Sequence, residues 1–362
     1  MAAEIGSAKR LRVIIFDSDG SNPYSEELLH IFRSYGVDAG FVGPVDHLFA
    51  DDSCVLRPRF SVTQPRNILS ELRTLFRVVS SASSNQPLIV VWARPYQKII
   101  LGMMACAKKG SVFYIVHNPV RSRWPVGIRR RIESFFIAVT RPVVHSESLR
   151  QMLLGLGYSD AGVIVHPPYQ SWRDRIGASH TRRELLGPRI NLLVLGRMEP
   201  DKFKDLPALI SNLDKLPVPS TLRLLVRPRL TALPPTSQLV IDDSSQDGWI
   251  ADGELAESLR WADILVAPYE AVTESGTVQL ALTLGLRVVA FSGGALDGSL
   301  TSNALASSGD YEGLVEAIVN VSRTSTSTAK WTPESRAREC YDAWIDELTK
   351  KPGLREHSAV GD

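Results

Sequence analysis

The chain alternates short, strongly apolar runs with longer segments in which apolar residues recur every three or four positions. A short apolar run predicts a buried strand, and the longer period predicts an amphipathic helix. Strands and helices that alternate in this way are typical of parallel βαβ units. In the first half the predicted strands are residues 12–16, 39–42, 88–92, 112–116, 142–146 and 163–166, and the predicted helices are residues 25–35, 67–80, 96–108, 129–138 and 148–155.

A polar, arginine-rich stretch at residues 170–188 interrupts the alternation and predicts a linker. A second series of strands and helices follows it. Its predicted strands are residues 191–195, 222–226, 239–241, 264–267 and 288–291, and its predicted helices are residues 206–213, 253–260, 277–284, 310–322 and 333–348.

The two series predict an α/β protein with two doubly wound, Rossmann-like domains that face a cleft. We expect an N-terminal domain at residues 1–172, a C-terminal domain at 173–332, a last helix at 333–350 and a disordered tail at 351–362. Ligands of doubly wound sheets bind outside the carboxyl ends of the strands. Residues that follow predicted strands are therefore the first candidates for chemistry.

Composition excludes several classes of protein. The 362 residues have a formal net charge of +2, which gives no reason to expect a nucleic-acid partner. Cys54, Cys106 and Cys340 lie far apart, which argues against a disulfide framework or a structural zinc site. No apolar stretch approaches the ~18 residues of a transmembrane helix, and the N-terminus does not resemble a secretory signal. We therefore expect a cytoplasmic protein.

One basic segment leaves contact with a membrane surface as an alternative. It contains a tryptophan, Trp124, and precedes an apolar run at residues 134–139. Its arginines are Arg121, Arg123, Arg129, Arg130 and Arg131. Such a segment is typical either of a solvated helix face or of a peripheral contact with anionic lipid, here at the inner face of the membrane, or with a lipid diphosphate.

The second half carries the clearest chemistry. The strand at residues 191–195 is followed by Gly196 and Arg197, and then by a loop that contains Lys204. A glycine lets a ligand approach the backbone, and arginine and lysine bind phosphate groups. Further along, Ser275 and Gly276 precede a helix, whose N-terminus favours an anion such as phosphate.

These segments resemble the donor-binding half of GT-B glycosyltransferases, especially family 4 (glycosyl transferases group 1), through the motif at Gly196-Arg197 and the helix that ends in ALTLGLRVVA. The resemblance implies a donor site for a nucleoside-diphosphate sugar, with no cofactor and no metal. It also implies that the last helix crosses back to the N-terminal domain. The implied donor-binding residues are Gly196, Arg197, Lys204, Ile250, Glu274, Ser275, Gly276 and Thr277.

The sequence departs from that family at one point. The family's two glutamates, spaced E-x7-E, align with Val272 and Leu280. Glu274 or Glu270 is the candidate to replace one of the missing carboxylates. The departure bears on the contacts with the sugar hydroxyls and leaves the diphosphate site intact.

The first half supplies the remaining candidates. His117 lies at the carboxyl end of a predicted strand. Members of family 4 carry a histidine at this position beside the donor sugar. The resemblance therefore makes His117 the candidate catalytic residue. Asn22 and Tyr24 belong to an N-P-Y stretch that resembles the exopolysaccharide-type branch. With Arg94, at another strand end, they are the acceptor-side candidates.

The sequence thus predicts a glycosyltransferase, implied by the resemblance to be retaining and metal-independent, that acts on a glycan, lipid-linked or small-molecule acceptor in polysaccharide biosynthesis. Three alternatives remain. The first is a haloacid-dehalogenase-like phosphatase that uses Asp17 and Asp19, which follow the first strand in a D-x-D-G pattern. The others are a GT-B-shaped epimerase and a nucleotide-sugar binder without catalysis. A nicotinamide dehydrogenase is disfavoured because no G-x-G-x-x-G follows a strand.

Overall fold

A computed structural model describes residues 11–18, 23–43, 75–76, 80, 83, 86–107, 111–117, 127–158, 160–176, 189–197, 205–248, 250–269, 275–293, 295–324 and 327–350. The chain divides into two compact units. The first unit comprises residues 1–165 and 337–362, and the second comprises residues 166–336.

The first unit is built on a parallel sheet, of which the described residues form six strands in the order β2-β1-β3-β4-β5-β6. The strands are β1 (Arg12–Asp17), β2 (Asp38–Val42), β3 (Leu88–Trp92), β4 (Val112–Ile115), β5 (Arg141–Val144) and β6 (Gly162–Val163). The described residues of this unit include the helices α1 (Tyr24–Ser34), α2 (Pro95–Ala107), α3 (Ile128–Val139) and α4 (Glu147–Gly155). The central strands are buried on both faces, which explains their continuous apolar runs.

Helices cover both faces of the first sheet. On one face Phe16, Val90 and Phe136 belong to the core beneath α2, α3 and α4. On the other face the core contains Phe32 of α1 and Trp344, which is fully buried. Trp344 belongs to the long last helix, which completes this face of the unit.

The second unit repeats the plan, with six described parallel strands in the order β12-β11-β10-β7-β8-β9. The strands are β7 (Ile190–Arg197), β8 (Ser220–Arg227), β9 (Leu239–Asp243), β10 (Ile264–Ala267), β11 (Arg287–Phe291) and β12 (Leu305–Ala306). The helices are α5 (Gln170–Ile176), α6 (Leu206–Leu213), α7 (Asp252–Trp261), α8 (Gly276–Thr283) and α9 (Tyr311–Ser322), and α10 (Pro333–Thr349) begins here and continues into the first unit. Helices α6 and α9 cover one face of the sheet, and α7 and α8 cover the other.

The predicted α/β class with two doubly wound sheets is confirmed. The predicted linker at residues 170–188 is wrong at its start, because residues 170–176 form α5. Tyr169 and Trp172 are buried in the core beneath α7 and α8, so the second unit begins at His166. The tail predicted at residues 351–362, and most of the helix predicted at 67–80, lie outside the described residues. Among the described helices, none combines the length and the apolar character needed to span a bilayer.

Candidate functional site

Two arginines end neighbouring strands of the second sheet. Arg197 is the last residue of β7 and Arg227 the last residue of β8, and the two are direct register partners. Their Cα atoms are therefore about 4.8 Å apart. Arg197 is exposed and Arg227 is half-buried. The backbones of the two arginines therefore lie next to each other at the carboxyl edge of the sheet.

The strand period of two indicates the face of Arg227. Leu225, two residues earlier on β8, belongs to the core beneath α7 and α8, so Arg227 starts from that side of the sheet. On β7 the positive φ of Gly196 interrupts the period just before Arg197. Helices that follow parallel strands begin at the carboxyl edge of the sheet, so both helix N-termini lie at the edge where the arginines end.

Gly196 brings a backbone segment close to the start of α8. Its φ of +126° lies in the region that favours glycine. A β-carbon at Gly196 would lie 3.4 Å from the Tyr269 hydroxyl and 3.8 Å from Thr277 Oγ1. The Tyr269 hydroxyl donates a hydrogen bond to the Leu195 carbonyl at 2.8 Å. Burial raises the pKa of Tyr269 above its usual range, so the hydroxyl remains a donor.

Ser275 caps the N-terminus of α8. Its hydroxyl accepts a hydrogen bond from the Val278 amide at 3.3 Å, as an N-cap serine does. The first amides of a helix have no carbonyl partner within the helix, and the helix dipole makes this end positive. Gly276 and Thr277 occupy the first turn, so their amides are available to an anion at this end.

The Tyr169 side chain lies against one side of the N-terminus of α8. A β-carbon at Gly276 would lie 2.8 Å from the Tyr169 hydroxyl, so a larger residue at position 276 would displace that ring. The Tyr169 amide donates a hydrogen bond to Thr283 Oγ1 at 3.1 Å. The segment that opens the second unit is thereby fixed to α8.

The N-terminus of α7 lies beside the end of β8. The Gln246 amide donates to the Val226 carbonyl at 2.9 Å, and the Gln246 side chain donates to Glu254 at 3.1 Å. Ile250, just before α7, is half-buried against the core beneath α7 and α8. Its partly exposed side chain offers an apolar surface at the same edge as the two arginines.

The first unit has a second group of polar and aromatic residues at the carboxyl edge of its sheet. His117 follows β4, and its ring stacks on Trp92 at the end of β3, with centroids 4.6 Å apart and an interplanar angle of 7°. Tyr24 meets His117 edge-on at 5.4 Å, and His145 lies 5.6 Å from His117. The structure thus brings together two of the sequence-predicted residues, Tyr24 and His117.

His117 is held in its neutral form. Burial, and after it the nearby charges of His145 and Lys98, hold its pKa well below 6.5, although a hydrogen bond to the Val91 carbonyl opposes the shift. Neutral imidazole carries one N–H donor and one acceptor nitrogen. At pH 7 the ring therefore offers hydrogen bonds without a charge.

Lys98, whose charge is close to His117, belongs to a largely buried hydrogen-bonded group with Tyr114 and Glu133. Its ammonium donates to the Tyr114 hydroxyl at 2.7 Å and pairs with Glu133, which also accepts from Tyr114 at 2.6 Å. Burial lowers the pKa of Lys98, and Glu133 opposes that shift. The three side chains join α2, β4 and α3.

The carboxylate at the end of β1 is not positioned as an exposed nucleophile. Asp17 is fully buried, and its Oδ2 accepts a hydrogen bond from the Ser25 hydroxyl at 2.5 Å. A substrate phosphorus atom needs an open approach to such an oxygen. The burial of Asp17 therefore disfavours the phosphatase alternative, and Asp19 lies outside the described residues.

Solved structures with similar folds extend over nearly the whole chain. Sucrose-phosphate synthase from Thermosynechococcus elongatus matches with a TM-score of 0.57 at 12% identity, over 94% of this chain and 96% of that one. HepE from Anabaena, in complex with UDP-glucose, matches with a TM-score of 0.57 at 13% identity, over 92% and 99%. The α,α-trehalose 6-phosphate synthase from Burkholderia multivorans gives 0.52 at 12%, over 93% and 94%. No family model and no curated protein sequence matches the chain.

The chain has the GT-B fold. The likeness is one of fold, because every identity is below 25%. Within this GT-B fold, the predicted residues Gly196, Arg197 and Thr277 meet at one edge of the second sheet.

The other sequence-predicted residues have varied places in the GT-B fold. Arg94 is half-buried at the start of α2, where its amide donates to the Gln97 side chain at 2.7 Å. Leu280, which aligns with a family glutamate, is buried in the core beneath α7 and α8. The predicted residues Asn22, Lys204 and Glu274, with Val272 and Glu270, lie outside the described residues.

Three residues at these two sheet edges are not among the site residues predicted from the sequence. Arg227 lies in an arginine-rich stretch, RLLVRPR, without a local motif, and only the pairing of β7 with β8 places it beside Arg197. Trp92 ends a predicted strand, which is a usable signal. Tyr269 follows the strand at 264–267, but no local pattern relates it to Gly196.

The second unit also contains a concavity of about 1020 Å³ at the other end of α8. It is lined by Leu284 and Gly285 and by the segment around Trp331, with Arg173 at one side. These residues are distinct from those at the carboxyl edge. The cavity therefore belongs to a different part of the unit.

Proposed function

We propose that this protein transfers a sugar from a nucleoside-diphosphate sugar to a carbohydrate or lipid-linked acceptor. The observation that carries the proposal is the register pair of Arg197 and Arg227 at the edge of the sheet where α7 and α8 begin. Two arginines on adjacent strands and a helix N-terminus suit a polyanion of the size of a diphosphate. HepE was solved with UDP-glucose, and with UDP and glucose, which supports this class of donor.

The donor site follows from the second-unit edge. Arg197 and Arg227 bind the diphosphate oxygens, and the amides of Gly276 and Thr277 bind from the start of α8. Gly196 gives the ligand access to the backbone, and Ile250 packs against the base. Two further donor-site residues are assigned from the sequence alone. Lys204 contacts the diphosphate, and Glu274 contacts the sugar hydroxyls.

These groups also define the chemistry. As the bond between the sugar and the diphosphate breaks, negative charge develops on the leaving diphosphate. Guanidinium groups and oriented amides stabilise that charge without rearranging, and such electrostatic stabilisation is often the largest contribution to catalysis. We therefore assign no enzyme nucleophile and no metal to this step. We also propose that the anomeric configuration is retained, as the resemblance to family 4 implies.

The first-unit edge supplies the sugar and acceptor contacts. Neutral His117 hydrogen-bonds a sugar hydroxyl, and its stacking on Trp92 fixes the plane of the imidazole. Tyr24 orients the ring from the side, and Asn22 and Arg94 are assigned to the acceptor. The N-P-Y stretch supports the exopolysaccharide-type branch of family 4, acting in polysaccharide biosynthesis in the cytoplasm with the acceptor at the inner membrane face.

A thermal-shift panel tests the donor site. The full chain is heated with UDP, GDP, ADP or TDP and with the matching nucleotide sugars, with EDTA and with magnesium. A ligand present at ~100 times its dissociation constant stabilises the folded state by about 2.7 kcal/mol, which raises Tm measurably. We expect a shift with one base that EDTA does not remove. A shift only with magnesium and a phosphate mimic would instead favour the phosphatase.

Product analysis separates the remaining alternatives. A transferase that binds its donor without an acceptor releases free sugar slowly by hydrolysis. An epimerase would convert the nucleotide sugar without any acceptor, and a binder without catalysis would leave it unchanged. NMR of the product anomer then tests retention.

A further inference from the structure

Helix α2 presents an apolar side to solvent. Tyr96, Ile99 and Met103 follow one another at helical spacing and are 38%, 39% and 65% exposed. The charged residue of this helix, Lys98, is buried in its pair with Glu133. The exposed side of α2 therefore carries no charge, which is unusual for a surface helix.

Helix α3 extends this apolar surface. A β-carbon at Gly102 would lie 2.6 Å from the Phe135 ring, so α3 packs closely on α2 next to Met103. Phe135 is 38% exposed and Ile128 is 77% exposed, and the exposed Arg131 lies between them on the same side of α3. We call this surface the α2–α3 face. It consists of Tyr96, Ile99, Met103, Ile128, Arg131 and Phe135.

The sequence segment that contains α2 and α3 carries charge of almost one sign. Residues 72–146 contain twelve arginines and lysines and one acidic residue, Glu133, whereas the whole chain has 41 basic and 39 acidic residues. Glu133 is already paired with Lys98. Arg129, Arg130 and Arg131 all lie in the first turn of α3. The basic excess of the chain is thus concentrated in the part that bears the α2–α3 face.

From these observations we infer that the α2–α3 face docks the protein on an anionic lipid bilayer. Exposed apolar side chains insert at the level of the headgroups, and arginines bind the anionic headgroups around them. The surface of a protein partner usually carries charges of both signs, whereas an anionic bilayer is negative throughout. The bilayer is therefore the better electrostatic match for a segment with almost no acidic residues. This inference goes beyond the proposed sugar transfer and does not depend on it.

Vesicle co-sedimentation of the full chain tests the inference. Vesicles of phosphatidylcholine are compared with vesicles that contain 30% phosphatidylglycerol, at low and high salt. We expect binding to the anionic vesicles that weakens with salt, because the attraction of basic residues is screened. Each unit of charge near the surface contributes about fivefold in partitioning. Arg131→Glu, which changes the charge by two units, should therefore reduce binding by more than tenfold.

Matched variants separate the face from general effects. Met103→Glu places a charge on the apolar side of α2 and should reduce binding by at least fivefold, whereas Val240→Glu, at an exposed apolar residue of the second unit, should not. Arg260→Glu, exposed on α7, is the control for Arg131→Glu. Circular dichroism confirms that each variant is folded.

Three results would overturn the inference. One is equal binding to neutral and anionic vesicles. Another is an equal loss of binding in Val240→Glu or Arg260→Glu. The third is self-association in sedimentation velocity that Met103→Glu abolishes, since that would assign the α2–α3 face to a second copy of the chain. Nucleotide binding in the thermal-shift panel should be unchanged by Met103→Glu, so the donor site is tested independently.

Discussion

Arg197 and Arg227 are register partners on the neighbouring parallel strands β7 and β8, at the carboxyl edge of the sheet where α7 and α8 begin. A polyanion bound at this edge forms charge-assisted hydrogen bonds with both guanidinium groups. The pair is therefore expected to make nucleotide binding depend on both residues.

Arg227→Ala should weaken binding of the nucleoside diphosphate. Hydrogen bonds to charged groups are worth about 1.5–3 kcal/mol, which corresponds to roughly 10- to 150-fold in the dissociation constant. Isothermal titration calorimetry of the wild type, Arg197→Ala and Arg227→Ala measures the change. Arg229→Ala, an exposed arginine two residues further on, is the matched control. Equal affinity of Arg227→Ala and wild type would remove Arg227 from the donor site.

Gly196→Ala should reduce both stability and nucleotide binding. Gly196 has a φ of +126°, and an added β-carbon would lie 3.4 Å from the Tyr269 hydroxyl. A residue with a side chain in a left-handed conformation costs about 1–2 kcal/mol. Thermal unfolding with and without nucleotide measures both effects. Gly155→Ala, in α4 with open space around it, should be neutral or slightly stabilising.

The low pKa of His117 predicts a particular pH dependence. The folded protein keeps His117 neutral below pH 6.5, whereas the unfolded chain protonates it there. Stability from this residue is therefore present above about pH 6.5 and is lost as the pH falls toward the folded pKa, by up to about 1.4 kcal/mol per pH unit. Unfolding in urea between pH 8 and pH 5 should show this slope.

His117→Gln removes the titrating group and should flatten the pH dependence of stability between pH 7 and pH 5. The exposed His30→Gln is the control and should leave it unchanged. The rate of transfer should likewise show no loss centred on pH 6.5. An acidic limb at pH 6.5 that disappears in His117→Gln would contradict the neutral role of the imidazole.

Lys98→Met should destabilise the first unit strongly. It leaves Glu133 and Tyr114 without the buried cation, and breaking a buried pair costs about 3–5 kcal/mol. Adding Glu133→Gln removes the uncompensated charge and should recover part of the loss. Arg338→Ala breaks an exposed pair with Asp342 and should cost no more than about 1 kcal/mol. Urea unfolding of the wild type, Lys98→Met, Glu133→Gln and the double variant measures the coupling, with Arg338→Ala as the control.

Asp214→Asn should make the protein less stable at neutral pH. The Asp214 carboxylate accepts hydrogen bonds from the amides of Ser237, Gln238 and Leu239 at 2.7–3.1 Å, which hold its pKa well below 3.8. The stabilisation is therefore complete above about pH 4 and is lost as the pH falls through the folded pKa. Tm measured at pH 7 and pH 3 should show a smaller difference from wild type at pH 3. Glu316→Gln, an exposed carboxylate on α9, should show none.

Sequence was most informative where one period dominates a segment. The strands at residues 88–92 and 264–267 and the helix at residues 206–213 have the predicted bounds, because a short buried run and an amphipathic stretch are each encoded locally. Helix α5 was missed because its seven residues, QSWRDRI, carry few apolar positions. Its Trp172 is buried by strands and helices far along the chain.

The candidate site was predictable only in part for a related reason. Gly196-Arg197 and Ser275-Gly276 are contiguous pairs, so a local pattern reveals them. Arg227 becomes a candidate only because the register between β7 and β8 places it beside Arg197. No local pattern in a single sequence encodes that register. The stacking of His117 on Trp92 is likewise a product of strand order, since β3 and β4 are neighbours in the sheet.

The buried Trp344 of the last helix has a consequence for the order in which the protein acquires its structure on the ribosome. Arg141 of β5 donates hydrogen bonds to Glu347 at 2.6 and 3.0 Å, which fixes this helix to the first sheet. Residues 166–336 of the second unit therefore leave the ribosome before Trp344 does. The first unit is therefore completed only after the whole second unit has been synthesised, and until then the apolar face that receives Trp344 is exposed to aggregation.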